Sequence, residues 1–571
     1  MISRKTHSYL VLAICLMGHV VMGQQQKKLV TLGGDIGLHG EFYKMESEGG
    51  VVKARRPGTL CRLIINTTLS TKDFSMPITM ALPTGQYGDI LPYAPAMTGV
   101  SLANLKQVMR NPLNRVAIAP KYKWAQLILG SQSPNYSELS VGNIAVWGTG
   151  INLSPGKFRL SCFSGSSQLA IEENLKNNIS GIYSRKIYSI KTGFGHQDSS
   201  HIYFIQSMMK DDTSSLQVKP SKAMPQSGFL SSLDFRINLS KQIYIKGEVA
   251  ASAFTRDMSS DEVPAPSSSF NPLGIFTKNG SARLDYASVL SIGTDRKNFG
   301  IKTVATYYGD GFVPMGYPFL QTDRLEVTVD PRFTLFKSKL QVSGSIGKRA
   351  NNVSGTKAAT TTQSIGSANI NARFSDKISI AASFSNFGYR NSVMNDTFRL
   401  EMVSWSWSIS PSYTYTSSKS LNNFTLMYSQ NTFKDFNVLS GALNANEADN
   451  IALSYMLSML KNPFSFSTML SYFDNNASYG SLLTKSLRLN FGYKFFKKKL
   501  STTAGIMLAH NEINSASSGS QVMILSGAKY ALTQKLFFSL NTSINMFHYG
   551  ETRPGLSYRE NFLRTSIIYK F

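Results

Sequence analysis

The chain has 571 residues, long enough for several soluble domains or for one large barrel, and its 59 Lys and Arg against 33 Asp and Glu give a net charge of +26. Three cysteines, one of them in the N-terminal leader, do not make a disulfide scaffold, and no metal-ligand spacing is present. Such a charge excess usually marks a nucleic-acid binder; the leader argues against that partner and turns attention to lipopolysaccharide phosphates, acidic glycans and anionic solutes.

Arg4, Lys5 and His7 form a short basic start, Tyr9 to Met22 is mostly apolar, and Val21-Met22-Gly23 supplies residues suited to a cleavage site. Residues 1–23 therefore read as a secretory signal peptide cut after Gly23, and not as an anchor, because the apolar stretch is short and holds Gly18 and His19. Losing Arg4 and Lys5 takes the charge from +26 to +24. Cys15 follows Ile14, which is too large for a lipidation signal. Beyond the leader there is no apolar run of about 18 residues, so no transmembrane helix is expected. An exported chain that spans a membrane without helices must close a barrel; the alternative is a secreted soluble β-protein.

Residues 24–120 have two readings. Thr31 to Met45, Thr59 to Leu69 and Met76 to Leu82 alternate like strands, whereas Gly85 to Ala119 does not and holds a short helical stretch, Ser101 to Met109. A barrel of about 22 strands is wide enough for a plug, so the segment is expected to pack in the lumen; the other reading makes it wall. Arg55 and Arg56 are candidates to clamp a phosphate or carboxylate there, or to pair with carboxylates of the inner wall.

From residue 121 to 571 the sequence reads as one all-β unit, a large closed antiparallel transmembrane barrel. Strands alternate with a period of two: Val403, Trp405, Trp407, Ile409, Tyr413 and Tyr415 share one face while Ser404, Ser406, Ser408, Ser410, Ser412 and Thr414 share the other. Pro411 is out of place in such a strand, since it removes a ladder bond. Leu487, Leu489, Phe491, Tyr493 and Phe495 oppose Ser486, Arg488, Asn490, Gly492 and Lys494 in the same way. Tight turns at Phe336-Lys337-Ser338-Lys339, Lys461-Asn462-Pro463 and Phe496-Lys497-Lys498-Lys499 alternate with longer polar connections, including ones expected near 475–481 and 512–520. In an outer-membrane barrel the short turns face the periplasm, and the parity holds from residue 226 to the end, for about 22 strands counted from 121. Lys246 and Arg256 on one strand, with Glu248, and Arg488 and Lys494 on another fall on the inward face as lumen-lining or plug-contacting cations. The last strand steps back from Phe571 through Tyr569 and Ile567, a terminal aromatic pattern that resembles the sorting signal read by the barrel-assembly machinery.

Two segments, Ala54-Arg55-Arg56-Pro57-Gly58 through Leu69 and Asn111-Pro112-Leu113-Asn114-Arg115 through Trp124, with Gly148-Thr149-Gly150, Pro155-Gly156-Lys157-Phe158-Arg159 and Tyr317-Pro318-Phe319-Leu320-Gln321-Thr322-Asp323, resemble a group of uncharacterised outer-membrane barrels of the Bacteroidota. The resemblance implies a Gram-negative outer-membrane location and an N-terminal region packed into or under the barrel; it implies no activity.

Little here points to catalysis. His196, Asp198 and His201 form the one local cluster, read as a polar turn in preference to a metal site, and no nucleophile elbow, His-Glu-x-x-His or phosphate loop occurs. No enzyme activity and no cofactor are expected. The first functional expectation is a porin-like channel for polar, anionic solutes. The second is an anchor or assembly partner for a secreted surface protein, and the third an uptake receptor driven from the inner membrane.

Overall fold

The computed structural model describes residues 30–48, 52, 54–56, 58–85, 114–142, 144–261, 279–314, 320–551 and 553–571. The leader, Pro57, the 101–109 stretch and Tyr317-Pro318-Phe319 lie outside the described residues.

Strands follow one another with almost no other regular structure. They are β1 (Thr31–Ser47), β2 (Thr59–Ser70), β3 (Phe74–Gly85), β4 (Arg115–Ile118), β5 (Lys121–Tyr122), β6 (Ala125–Gln132), β7 (Val146–Leu153), β8 (Phe158–Gln168) and β9 (Ser184–Gly195). Next come β10 (His201–Asp212), β11 (Ser227–Asn238), β12 (Ile243–Thr255), β13 (Ala282–Asp295), β14 (Phe299–Tyr308), β15 (Arg324–Leu335), β16 (Leu340–Asn351), β17 (Thr361–Arg373) and β18 (Ile378–Asn391). The wall finishes with β19 (Glu401–Thr416), β20 (Ser420–Asp435), β21 (Asn446–Met459), β22 (Phe464–Ala477), β23 (Gly480–Phe495), β24 (Leu500–Ile513), β25 (Ala516–Ala531), β26 (Leu536–Tyr549) and β27 (Ser557–Lys570).

Neighbours in sequence pair antiparallel, and β27 returns to pair with β1, from Asp35↔Lys570 to Ser47↔Tyr558. That closure removes the last free edge, as a lipid-exposed sheet requires. β4 and β5 both lie between β3 and β6, interrupted at Ala119-Pro120, so 27 strands minus 1 occupy 26 wall positions. The stretch β6 to β27 contains 27 − 5 = 22 strands, the number expected from residue 121 onward; the other four positions come from upstream. The strands within the described part of residues 24–120 are thus wall: β1, β2 and β3 pair in full register, Ile36↔Ile65 and Ile65↔Met80 among them. The physical reason is the alternation of these segments, which suits a two-faced wall and leaves an unsatisfied edge if it is taken out of the sheet.

The outward face is apolar. Leu453, Leu470, Phe424, Leu426 and Leu508 stand exposed there, a density that no water-facing surface of this extent would carry. Near the short-turn rim the outward rings of Phe424, Tyr455, Phe466 and Phe491 run across four strands with successive centroids 4.5, 6.3 and 5.1 Å apart, an aromatic girdle. At the opposite rim Lys434 reaches over Trp405, 5.4 Å from its centroid, its ammonium free to meet headgroups. No described helix is long and apolar enough to cross a membrane.

Pro411 does interrupt a ladder: β19 pairs with β20 at Ile409↔Tyr428 and again at Ser412↔Thr425, skipping the proline. Two expected long connections are tight. β22 turns into β23 through Ser478-Tyr479, and β24 into β25 through Asn514-Ser515. The strands simply continue outward; Asn514 and Ser515 are left-handed, with φ of 51° and 65°, which matches the twist of a two-residue hairpin. Cys61 on β2 and Cys162 on β8 do not form a disulfide; four wall positions separate their strands.

Candidate functional site

Among the described residues the interior divides into a filled sector and an open one. On β8 to β14 the inward residues are unusually apolar: Phe163, Ile187, Ile205, Leu230, Ala250 and Ala287 are buried, whereas their outward neighbours Tyr188, Phe204 and Val249 are exposed. Their cover is the connection between β6 and β7, residues 133–145, which leaves the long-loop rim and folds back inside. Leu139, Ser140 and Val141 on it are fully buried. The Tyr136 ring meets Phe163 edge-on at 5.6 Å, and Phe312, from the connection after β14, joins the same apolar cluster.

Polar groups hold this cover in place. Glu248, 4 % exposed, accepts the Ser137 hydroxyl at 2.6 Å and the Leu139 amide at 3.0 Å. The Lys191 ammonium donates to the Tyr136 carbonyl at 3.0 Å and sits 4.3 Å from the Tyr203 ring centroid. The Val313 amide donates to the Ser252 hydroxyl at 3.0 Å. Burial in this packing pushes the Tyr136 hydroxyl well above the ordinary phenol range.

Between the cover and the wall lies a cleft of about 390 Å³ lined by Lys246, Lys302, Glu248, Asp234 and His201. Lys246 thus stands on the inner face at the edge of the filled sector. His201 Nε2 lies 3.4 Å from Asp234 Oδ2 without hydrogen-bond geometry, and its Nδ1 meets the Ser199 carbonyl at 2.9 Å. His196 instead meets the Arg159 guanidinium at 2.8 Å. Among the described residues no three His, Cys, Asp or Glu gather as a metal set. Arg256 follows β12 at the long-loop rim and lines a second cleft, of about 680 Å³, with Lys222, Asp257 and the Arg185–Asp211 pair, whose ions meet at 2.6 Å. Hydrogen bonds from Ser259 hold Asp257 below the usual carboxylate range.

The inner face of β17 to β23 has a different character. Here hydroxyls and amides pair sideways: Ser383 with Ser408 at 2.8 Å, Ser385 with Ser406 at 2.6 Å, Ser471 with Ser486 at 2.6 Å, and Asn490 to Ser467 at 3.3 Å. Asn369, Asn371, Ser383, Ser385 and Asn431 on this face remain exposed. Arg488 and Lys494 stand on its β23 margin, opposite Met507 and Ser501.

Arg55 and Arg56 lie inside the barrel. The Arg55 amide donates to the inward Tyr43 hydroxyl at 3.5 Å, its guanidinium carbon is 6.0 Å from the Tyr558 centroid, and that of Arg56 is 5.1 Å from Phe562. At the chain end Tyr569 and Ile567 face outward opposite Leu536 and Phe538, and the Phe571 ring lies 6.0 Å from Tyr569.

Sequence reasoning missed the 133–145 cover. The available signal was double-sided apolarity: β10 carries Ile202 and Phe204 outward and Tyr203, Ile205 and Met209 inward, which a water-facing lumen would not allow.

No family model matches the chain, and no curated protein does. Among solved structures, it is similar to OccAB2 of Acinetobacter baumannii (11% identity, 68% of this chain and 98% of that chain, TM-score 0.29). It is also similar to OccK11 (OpdR) of Pseudomonas aeruginosa (10% identity, 68% and 96%, TM-score 0.28) and to a mutant of the ferric enterobactin receptor PfeA of the same species (10% identity, 94% and 81%, TM-score 0.40). At these values the likeness carries no functional assignment; the fold stands on the strand pairing itself.

Proposed function

We propose that this barrel is a porin-like channel of a Gram-negative outer membrane, conducting polar solutes with a preference for anions, with its short turns in the periplasm and its long connections outside. The observation that carries the reading is the uncovered hydroxyl and amide wall of β17 to β23. Neutral hydroxyls and amides exchange hydrogen bonds with water and solute at little cost, and a strip of them, left exposed among the described residues and broken only by Phe387, Met456 and Met469, is what a conducting lumen needs. The opposite sector, sealed by residues 133–145, narrows the bore. Arg488, Lys494, Lys246 and Arg256 bias that bore toward negative charge, and lipopolysaccharide phosphates meet the basic groups of the outer rim. Phe571, Tyr569 and Ile567 present the terminal strand to the assembly machinery, and β27 then closes on β1.

Purified protein in a planar bilayer under a KCl gradient tests the reading. The expected result is stepwise conductance with a reversal potential displaced toward chloride, and a smaller displacement when Lys246, Arg488 and Lys494 are changed together to Gln. Electrical silence from a folded barrel overturns it; silence together with a secreted surface protein retained by the barrel favours the anchor reading instead.

A further inference from the structure

Arg55 and Arg56, described residues of the connection between β1 and β2, also lie inward, and with cations of the wall they cover a row of aromatic rings. Tyr558 and Phe562 are inward residues of β27, in register with Ser47 and Tyr43 of β1, and Phe537 of β26 is the partner of Ile568. Arg55 lies over Tyr558; Arg56 and Arg564 both lie over Phe562, at 5.1 and 5.4 Å; Lys529 and Lys570 both lie over Phe537, at 5.9 and 5.3 Å. The three rings sit at successive depths. Tyr558 to Phe562 is four residues and Phe562 to Ile568 is six, about 13 and 20 Å at roughly 3.3 Å per residue, with Arg564 between.

A ring holds a cation in place without cancelling its charge, which a carboxylate would do. Arg55, Arg56, Lys529 and Lys570 are exposed and enter no ion pair among the described residues. The acidic groups facing this strip are already engaged. Glu41 meets Arg564 at 2.9 Å, Glu560 accepts the Tyr43 hydroxyl at 2.8 Å and the Asn545 amide at 3.0 Å, and Asp35 accepts the Asn66 amide at 3.5 Å. A guanidinium seated on a ring keeps its in-plane N–H fork for a two-oxygen ligand.

We propose that the inner wall of β26, β27 and β1 is an oxyanion track, on which Arg55 and Arg56 first take the carboxylate or phosphate of an entering solute and Lys529 and Lys570 receive it further down. The track names the solute class for the channel reading and rests on it for the direction of travel; the binding step itself does not.

The test is therefore a binding measurement: saturation-transfer NMR on the full barrel in detergent, with benzoate as probe, benzamide as its neutral counterpart and inorganic phosphate as competitor. Benzoate is expected to bind and benzamide not. Changing Arg55 and Arg56 together to Gln should weaken benzoate at least fivefold, and changing both to Lys should weaken it by less, since the charge stays and the fork is lost. Displacement by phosphate assigns the track to oxyanions in general, and resistance to phosphate assigns it to carboxylates. Equal binding of benzoate and benzamide, or unchanged binding in the R55Q/R56Q pair, overturns the proposal. Both arginines are exposed on a connection outside the ladder, and a heat-dependent gel shift checks that the variants are folded. A barrel that binds benzoate but never conducts refutes the channel and keeps the track; one that conducts with unaltered benzoate binding in the Gln pair refutes the track alone.

Discussion

Replacing Glu248 with Ala removes the acceptor that pins residues 133–145 to the inner wall. Two donors lose their partner, the Ser137 hydroxyl at 2.6 Å and the Leu139 amide at 3.0 Å. Each bond to a charged group contributes about 1.5–3 kcal/mol, so the docked state loses about 3–6 kcal/mol with no discount for solvent, because Glu248 is only 4 % exposed. At 1.4 kcal/mol per tenfold, local opening becomes about 140 to 20,000 times more frequent. Tyr136, Leu139 and Val141 keep their apolar contacts, each worth about 1.5–3 kcal/mol when fully buried, so the segment opens more often without being permanently released. Hydrogen–deuterium exchange on peptides covering 133–145 reads the change directly, and single-channel recordings should show added flicker toward higher conductance. Glu248→Gln retains a neutral acceptor worth about 0.5–1.5 kcal/mol per bond and should fall between the two. Exchange across 133–145 that is as slow in E248A as in the parent would refute the view that this carboxylate latches the cover.

Three other consequences can be checked separately. At the long-loop rim, burial pushes the Asp323 carboxyl up, but the Lys357 ammonium at 2.9 Å and the Ser354 amide at 2.9 Å outweigh it and hold the group below its ordinary value of 3.8. A depressed folded value stabilises above the unfolded one and is lost as pH falls through it; proteolytic protection of residues 352–357 should therefore be steady from pH 7 to about 5 and drop below about pH 4, and it should already be low at pH 7 in D323N. The turns after β15 and β23 each hold three consecutive left-handed residues without glycine, at φ of 51°, 56° and 69° and of 51°, 51° and 71°, so Ser338→Gly and Lys498→Gly should each stabilise by about 1 kcal/mol and raise the temperature of the unfolding gel shift; a lower temperature contradicts the strain. Leu453→Arg, on the outward face of β21, should cost about 2–4 kcal/mol in lipid, read as lost folded yield, while Ser454→Arg on the inward face should leave the yield near parental; equal losses would mean that the faces have been misassigned.

The wall was legible wherever the two faces of a strand meet different solvents. Trp405 and Trp407 against Ser404, Ser406 and Ser408 on β19 spell lipid outside and water inside, so strand, register and inward face follow from period alone. β10 and β11 did not yield so easily, because their inward face is itself buried: Ile205 and Leu230 look like a soluble core until residues 133–145 are seen to cover them. The wall role of β1 to β3 was undervalued for a related reason. Thr31–Ser47 holds three glycines within its first seven residues, which weakens its strand pattern, yet Gly34 has a φ of 135° beside Thr67 and Gly37 and Gly40 lie along the closing seam, where neighbouring side chains crowd the backbone. The cover, by contrast, hides three apolar anchors, Tyr136, Leu139 and Val141, in an otherwise polar connection. Arg55 and Arg56 were expected in the lumen, but their seat on aromatic rings had no local signal; only the pairing of β27 with β1 brings Tyr558 and Phe562 beneath them.

Cysteine accessibility read as channel current tests the central division of the wall most directly. In a background lacking Cys61 and Cys162, Ser385→Cys and Ser408→Cys, on the inner strip, should react with a charged, water-soluble thiol reagent and lower the current in a planar bilayer, while Leu453→Cys on the outer face should not. Current that is untouched by the reagent at Ser385 and Ser408, or that falls equally at Leu453, would contradict an aqueous path along β17 to β23.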